Sequence, residues 1–218
     1  MTSVSAGRAG SAAIGDRLLV CVAEQGSAAH AYPSGAALLK GPDAARNLSD
    51  VVHFLCTLHG RHPGVIDHAA DRSLEPAARA WFASAREAFA AERAFLARLA
   101  VAAGPVPSTP GAAESEAAVL GQRHAIEMLA KSERGGCALG AALAVALVWA
   151  AIRPVLGAAG RRFGVEGPAL LPIDLPNLGE IAAPSMERAL LFGAQQILVQ
   201  HFGLWELLEA RQQARGAD

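Results

Sequence analysis

The chain has 218 residues, of which 52% are apolar and 18% charged, with a formal net charge of −1; this argues against intrinsic disorder and leaves ample material for a core. Its arginines are scattered, Arg161-Arg162 being the only adjacent basic pair, so there is no basic stripe of the kind that gives nucleic-acid binders their affinity. Cys21, Cys56 and Cys137 lie far apart and form no CxxC pair, which suggests neither a disulfide framework nor a zinc knuckle and fits a cytoplasmic home.

Residues 1–42 read as a poorly defined, partly helical segment. The apolar run Leu18-Leu19-Val20-Cys21-Val22 follows Asp16-Arg17 directly and is shorter than the roughly 7–15 residues of a signal-peptide core, so it is taken as helix. Residues 43–218 read as a helical-bundle domain. Its first helix is expected to start at Asn47 or Ser49, with Asp50 in the first turn, and to run to Leu58 before Gly60. Pro63 opens a short helix through Val65, Ile66 and Ala69.

The clearest amphipathic pattern covers 76–103, where Trp81, Phe82, Ala85, Phe89, Leu96 and Leu99 share one arc. A Pro/Gly-rich linker is expected at 104–114 and reads as exposed. Helix resumes over 115–132 with Val119, Ile126 and Leu129 inward. From 135 to 152 no residue is charged, a run that touches the length of about 18 for a spanning helix. Its insertion drive rests on Leu139, Leu143, Val145, Leu147, Val148 and Ile152 alone, at about −0.3 to −0.6 kcal/mol each. A central helix buried by protein and closed by Arg153-Pro154 is the better reading, with no membrane involved.

Gly136, Gly140 and Ala144 form a small-residue ridge on that helix, suited to close backbone approach inside the bundle or, less directly, to self-association. Pro168, Pro172, Pro176 and Pro184 mark a strap over 164–184, anchored by Leu170, Leu171, Ile173, Leu175 and Leu178. The final helix runs from about Ser185, with Glu187 in its first turn, to Arg211. The fold class is therefore all-α: a bundle of about six or seven helices around a buried Ala/Gly-rich central helix.

Familiar chemical signatures are missing: no GK[ST] follows Gly135-Gly136, and neither GxGxxG nor GxSxG occurs. Four of the histidines, His53, His59, His62 and His68, fall in one window, but Gly60 and Pro63 break the register that a local metal motif needs. His124 and Glu127 share a helix face, yet Arg123 and Lys131 are Glu127's i±4 partners, so a solvated ion-pair face is expected.

Three polar residues fall on core-facing arcs: His59 between Val52 and Leu55, Glu92 between Phe89 and Leu96, and His201 among Ala194, Ile197, Leu204 and Trp205. An inward carboxylate must be paired, protonated or ligated. It can form a structural pair with histidine or arginine. The alternative is a metal site of His59, Glu92 and His201, similar in composition to a two-histidine, one-carboxylate centre holding a transition metal ion.

Through residues 47–70 and 121–165 the chain resembles an uncharacterised family of alphaproteobacterial helical proteins, which carries no assigned activity and implies no catalytic residues. Helix count and inward Glu and His also resemble ferritin-like and haem-oxygenase-like bundles, although the paired Glu-x-x-His motif is absent. Two functions follow as expectations: a soluble, non-enzymatic ligand-binding or protein-interaction role, or a metal-dependent helical-bundle enzyme.

Overall fold

A computed structural model describes residues 3–73, 76–169 and 181–216. Among these there are eight α-helices and no strand: α1 (Ser3–Gln25), α2 (Ala36–Leu39), α3 (Ala44–His59), α4 (Val65–Arg72), α5 (Pro76–Ala103), α6 (Ala112–Ala130), α7 (Cys137–Phe163) and α8 (Glu187–Gly216). The fold class is the all-α bundle read from the sequence. Helix α7 is its axis and packs against α1, α3, α4, α5, α6 and α8.

The composition of α7 explains that position. Its small residues let neighbours approach on several sides, and Ala141, Ala142, Leu143, Ala144, Ile152 and Leu156 are fully buried. The closest approach is to α8. A Cβ on Gly140 would stand 1.9 Å from the Leu190 carbonyl oxygen, and one on Gly193 would stand 2.1 Å from that of Cys137. The ridge of Gly136, Gly140 and Ala144 is thus occupied from within the chain. The helix is long and apolar enough to cross a membrane, yet 67% of its most apolar window is buried in the protein.

Several boundaries differ from the sequence reading; the last helix, for one, runs to Gly216 and not to Arg211. Helix α7 does not end at Arg153-Pro154 but runs through Pro154 to Phe163. A proline there removes the bond to the carbonyl four residues earlier, and both Pro154 and Ala150 are exposed, so water can serve that carbonyl. Helix α3 begins at Ala44, ahead of the expected caps. Asn47 spends its side chain on tertiary bonds instead, donating to the Ala37 carbonyl at 2.9 Å and accepting from Arg215. Helix α6 begins inside the expected linker, at Ala112, after Gly111 takes a left-handed φ of +71° that favours glycine. The linker is also not wholly exposed, because Thr109 is buried.

Ile14 and Leu18 of α1, with Tyr32 and Leu38, lie in the same core cluster as α3 to α8. In the strap, Arg153 donates to the Pro168 carbonyl at 2.8 Å, Arg98 to that of Glu166 at 2.9 Å, and Ile181 and Ala182 are buried. The expected anchors Leu170, Leu171, Ile173, Leu175 and Leu178 lie outside the described residues.

Candidate functional site

The C-terminal residue of α3 and the middle of α8 meet at the centre of the bundle. His59 Nε2 and His201 Nε2 are 2.9 Å apart, with ring centroids at 4.9 Å. Helical spacing sets His201 among Ile197, Leu198, Leu204 and Trp205, and it is fully buried. His59 is only partly buried. Its ring meets the edge of Trp149 at 5.6 Å and 90°, and Phe89 packs on Trp149 at 5.1 Å.

Burial disfavours the charged imidazolium. It pushes His201 down to about 4 and His59 well below its ordinary value, with the nearby charge of His201 lowering His59 further. At neutral pH both rings are uncharged. One N–H then lies between them, donated by one ring and accepted by the other. Among the described residues His201 Nδ1 and Trp149 Nε1 are buried without a hydrogen-bond partner, leaving unused hydrogen-bonding capacity in the core.

A cleft of about 40 Å³ opens beside this pair, with His59, Phe89 and Val145 in its wall. That is room for a water molecule or one small functional group. Arg61, Arg93 and Arg123 line it with His68, and among the described residues Glu127 is the one carboxylate in the lining. Arg93 donates to Asp67 at 3.1 Å, and Asp67 also accepts the Gly64 N–H at 2.8 Å at the start of α4. Arg123 Nε is ion-paired with Glu127 at 3.6 Å, beyond hydrogen-bond range, and this buried N–H makes no hydrogen bond among the described residues.

Glu92 does not join the histidines. It is buried as its position on the arc requires, but Arg153 Nε donates to Glu92 Oε1 at 2.9 Å while Oε2 has no partner. The residues proposed as metal ligands therefore divide: His59 and His201 meet, and Glu92 pairs with arginine. Among the described residues no group of three His, Cys, Asp or Glu side chains is placed to hold a metal ion. The other histidines scatter as well. His53 bonds the Gly104 carbonyl at 2.8 Å, His62 lies 3.3 Å from Asp67, and His124 faces solvent beside the Arg123–Glu127 pair.

Sequence reasoning missed a second buried polar cluster. Asp50 accepts from Arg211 at 3.0 and 3.1 Å and from Arg215, while both arginines also donate to Thr109. The signal was present: His201, Leu204, Leu208, Arg211 and Arg215 continue one core-facing three-four spacing beyond Leu208. Arg61, Arg93 and Arg123 left no such trace, since three different segments bring them to one cleft.

Fold and site together define an all-α bundle with a neutral histidine pair at its centre and an arginine-lined cleft beside it. The chain belongs to a family of unknown function, DUF6975, whose model matches residues 22–216. No curated protein and no solved structure matches it.

Proposed function

We propose that the chain is a non-enzymatic ligand-binding protein whose site is the cleft in front of His59. Of the roles left open by the sequence, this is the one that a specific observation favours. The cleft is lined by Arg123, whose buried Nε makes no hydrogen bond among the described residues although it is ion-paired with Glu127 at 3.6 Å, and it opens beside His59. Native proteins seldom leave such groups unsatisfied, and a bound molecule is one way to satisfy them. The metal-dependent enzyme gains no support from Glu92, whose carboxylate is engaged by Arg153. Cytoplasmic residence belongs to the same reading, supported by free thiols at Cys21, Cys56 and Cys137.

The test is a panel of small molecules of differing charge, followed by thermal unfolding and by the side-chain NMR signals of His59. A ligand seated in the cleft shifts the His59 signals and raises stability by about 2.7 kcal/mol at a hundredfold excess over Kd. Stabilising compounds that leave His59 unmoved would place the binding elsewhere and sink this reading.

A further inference from the structure

We infer that the ligand class of this cleft is a small oxyanion, a carboxylate or phosphate group, carried on a short apolar body. The inference rests on the ligand-binding reading above and gives it a chemical class.

The charge of the lining supplies the first argument. Three guanidinium groups, Arg61, Arg93 and Arg123, face a single carboxylate, Glu127. Arg93 is committed to Asp67, which sits behind it. Arg123 is ion-paired with Glu127 through Nε at 3.6 Å, and among the described residues that buried N–H makes no hydrogen bond. Among the described residues the Arg61 guanidinium and the His68 ring make no hydrogen bond, so two further donors border the opening. Guanidinium forks match carboxylate and phosphate oxygens in shape as well as charge.

The rest of the wall supplies the second argument. Leu58, Val65, Ile66, Phe89, Ile126 and Val145 supply an apolar part of the same lining. Few polar groups on a mainly apolar surface are the usual make-up of a small-molecule site. The free volume of about 40 Å³ excludes a nucleotide or other large cofactor from the interior and admits one small functional group, with a short apolar body at the open mouth of the cleft.

The probes are isobutyrate, its neutral isostere isobutyramide, the cation isobutylamine and inorganic phosphate, titrated into the full chain with His59 observed by NMR. Isobutyrate should shift His59 and bind at least about tenfold more tightly than isobutyramide, with isobutylamine silent. Arg123→Gln should weaken isobutyrate about tenfold, and the exposed Arg61→Gln about threefold, with circular dichroism unchanged. Added salt should weaken it as well.

Equal binding of isobutyrate and isobutyramide, or tighter binding of isobutylamine, would overturn the anion class while leaving the cleft as a ligand site. Inorganic phosphate binding more tightly than isobutyrate would overturn the apolar body. If none of the four moves His59, the ligand-binding reading itself fails. Arg61→Gln keeps the test decisive should Arg123→Gln not fold, because Arg61 is exposed and, among the described residues, makes no hydrogen bond or ion pair.

Discussion

His59 and His201, 142 residues apart in sequence, share one hydrogen bond, Nε2 to Nε2 at 2.9 Å, between α3 and α8. Both rings cannot accept a proton and keep that contact. His201 titrates near 4 in the folded chain because burial penalises its charge, against about 6.5 when unfolded. The sign follows from proton binding: below about pH 6.5 the unfolded chain takes up protons that the native chain refuses, so stability rises with pH. It is fully present above pH 6.5 and is lost as pH falls towards 4, by roughly 3 kcal/mol for His201 alone. Urea midpoints between pH 4 and 8 measure this directly. His201→Leu should make the profile shallower, because it removes the contribution of His201 itself, while burial still holds His59 below its ordinary value. Parallel profiles for the two proteins would show that the pair does not control the acid limb.

The seam between α7 and α8 makes a second prediction. Gly140→Ala and Gly193→Ala each drive a methyl group into a backbone carbonyl of the facing helix. Rigid backbone cannot yield as a flexible side chain can, so each should cost at least the roughly 1–3 kcal/mol of core overpacking. Gly121 is the internal control, since nothing lies within 4 Å of a Cβ added there on α6. Gly121→Ala should therefore stabilise by about 0.5–1 kcal/mol through helix propensity alone. Chemical denaturation of the three variants gives the comparison, and similar effects at all three positions would contradict the close seam.

The helical frame is readable from the apolar pattern of single helices. The arc from Trp81 to Leu99 marks the buried face of α5, and the uncharged run on α7 marks a helix buried on several sides. Helix starts are harder, because Asn47, Ser49 and Asp50 carry capping chemistry that α3 does not use for capping. Asn47 and Asp50 instead face Arg215, a partner 165 residues or more away in sequence. The candidate site is half legible for the same reason. Wheel positions placed His59, Glu92 and His201 inside the bundle, but only tertiary packing determined that the two histidines meet and that Glu92 turns to Arg153.

Asp50 ties α3, α8 and the Pro-rich linker through Arg211 and Arg215, with Thr109 as a common acceptor. Removing the carboxylate leaves two almost fully buried guanidinium groups without their counter-charge, and breaking such a pair costs about 3–5 kcal/mol. Asp50→Ala should show that loss in urea. It should also sensitise residues 104–111 to limited proteolysis, because the guanidinium groups that bond Pro107 and Thr109 lose their own anchor. Arg46→Ala is the comparison: Arg46 reaches the Ser108 carbonyl at 3.3 Å from an exposed position. It should cost no more than about 1 kcal/mol. A proteolysis pattern unchanged in Asp50→Ala would mean that the linker is held by something other than this cluster.

Glu92 and Arg153 join α5 to α7, and Arg153 also stacks on Phe95 at 4.9 Å and reaches the Pro168 carbonyl. Glu92→Ala strands a guanidinium whose side chain is only 13% exposed. That exposure tempers the loss expected of a fully buried pair to about 2–3 kcal/mol. The double variant Glu92→Leu with Arg153→Met should cost less than the two single changes added, because it removes both charges and leaves neither alone. A metal role predicts something different. Elemental mass spectrometry of protein purified without a chelating tag should give the same metal content for wild type and Glu92→Ala, since Arg153 and not a metal ion is the partner of this carboxylate. Stoichiometric metal in the wild type, lost in a still-folded Glu92→Ala, would reverse that assignment and send Glu92 back to His59 and His201 as a ligand.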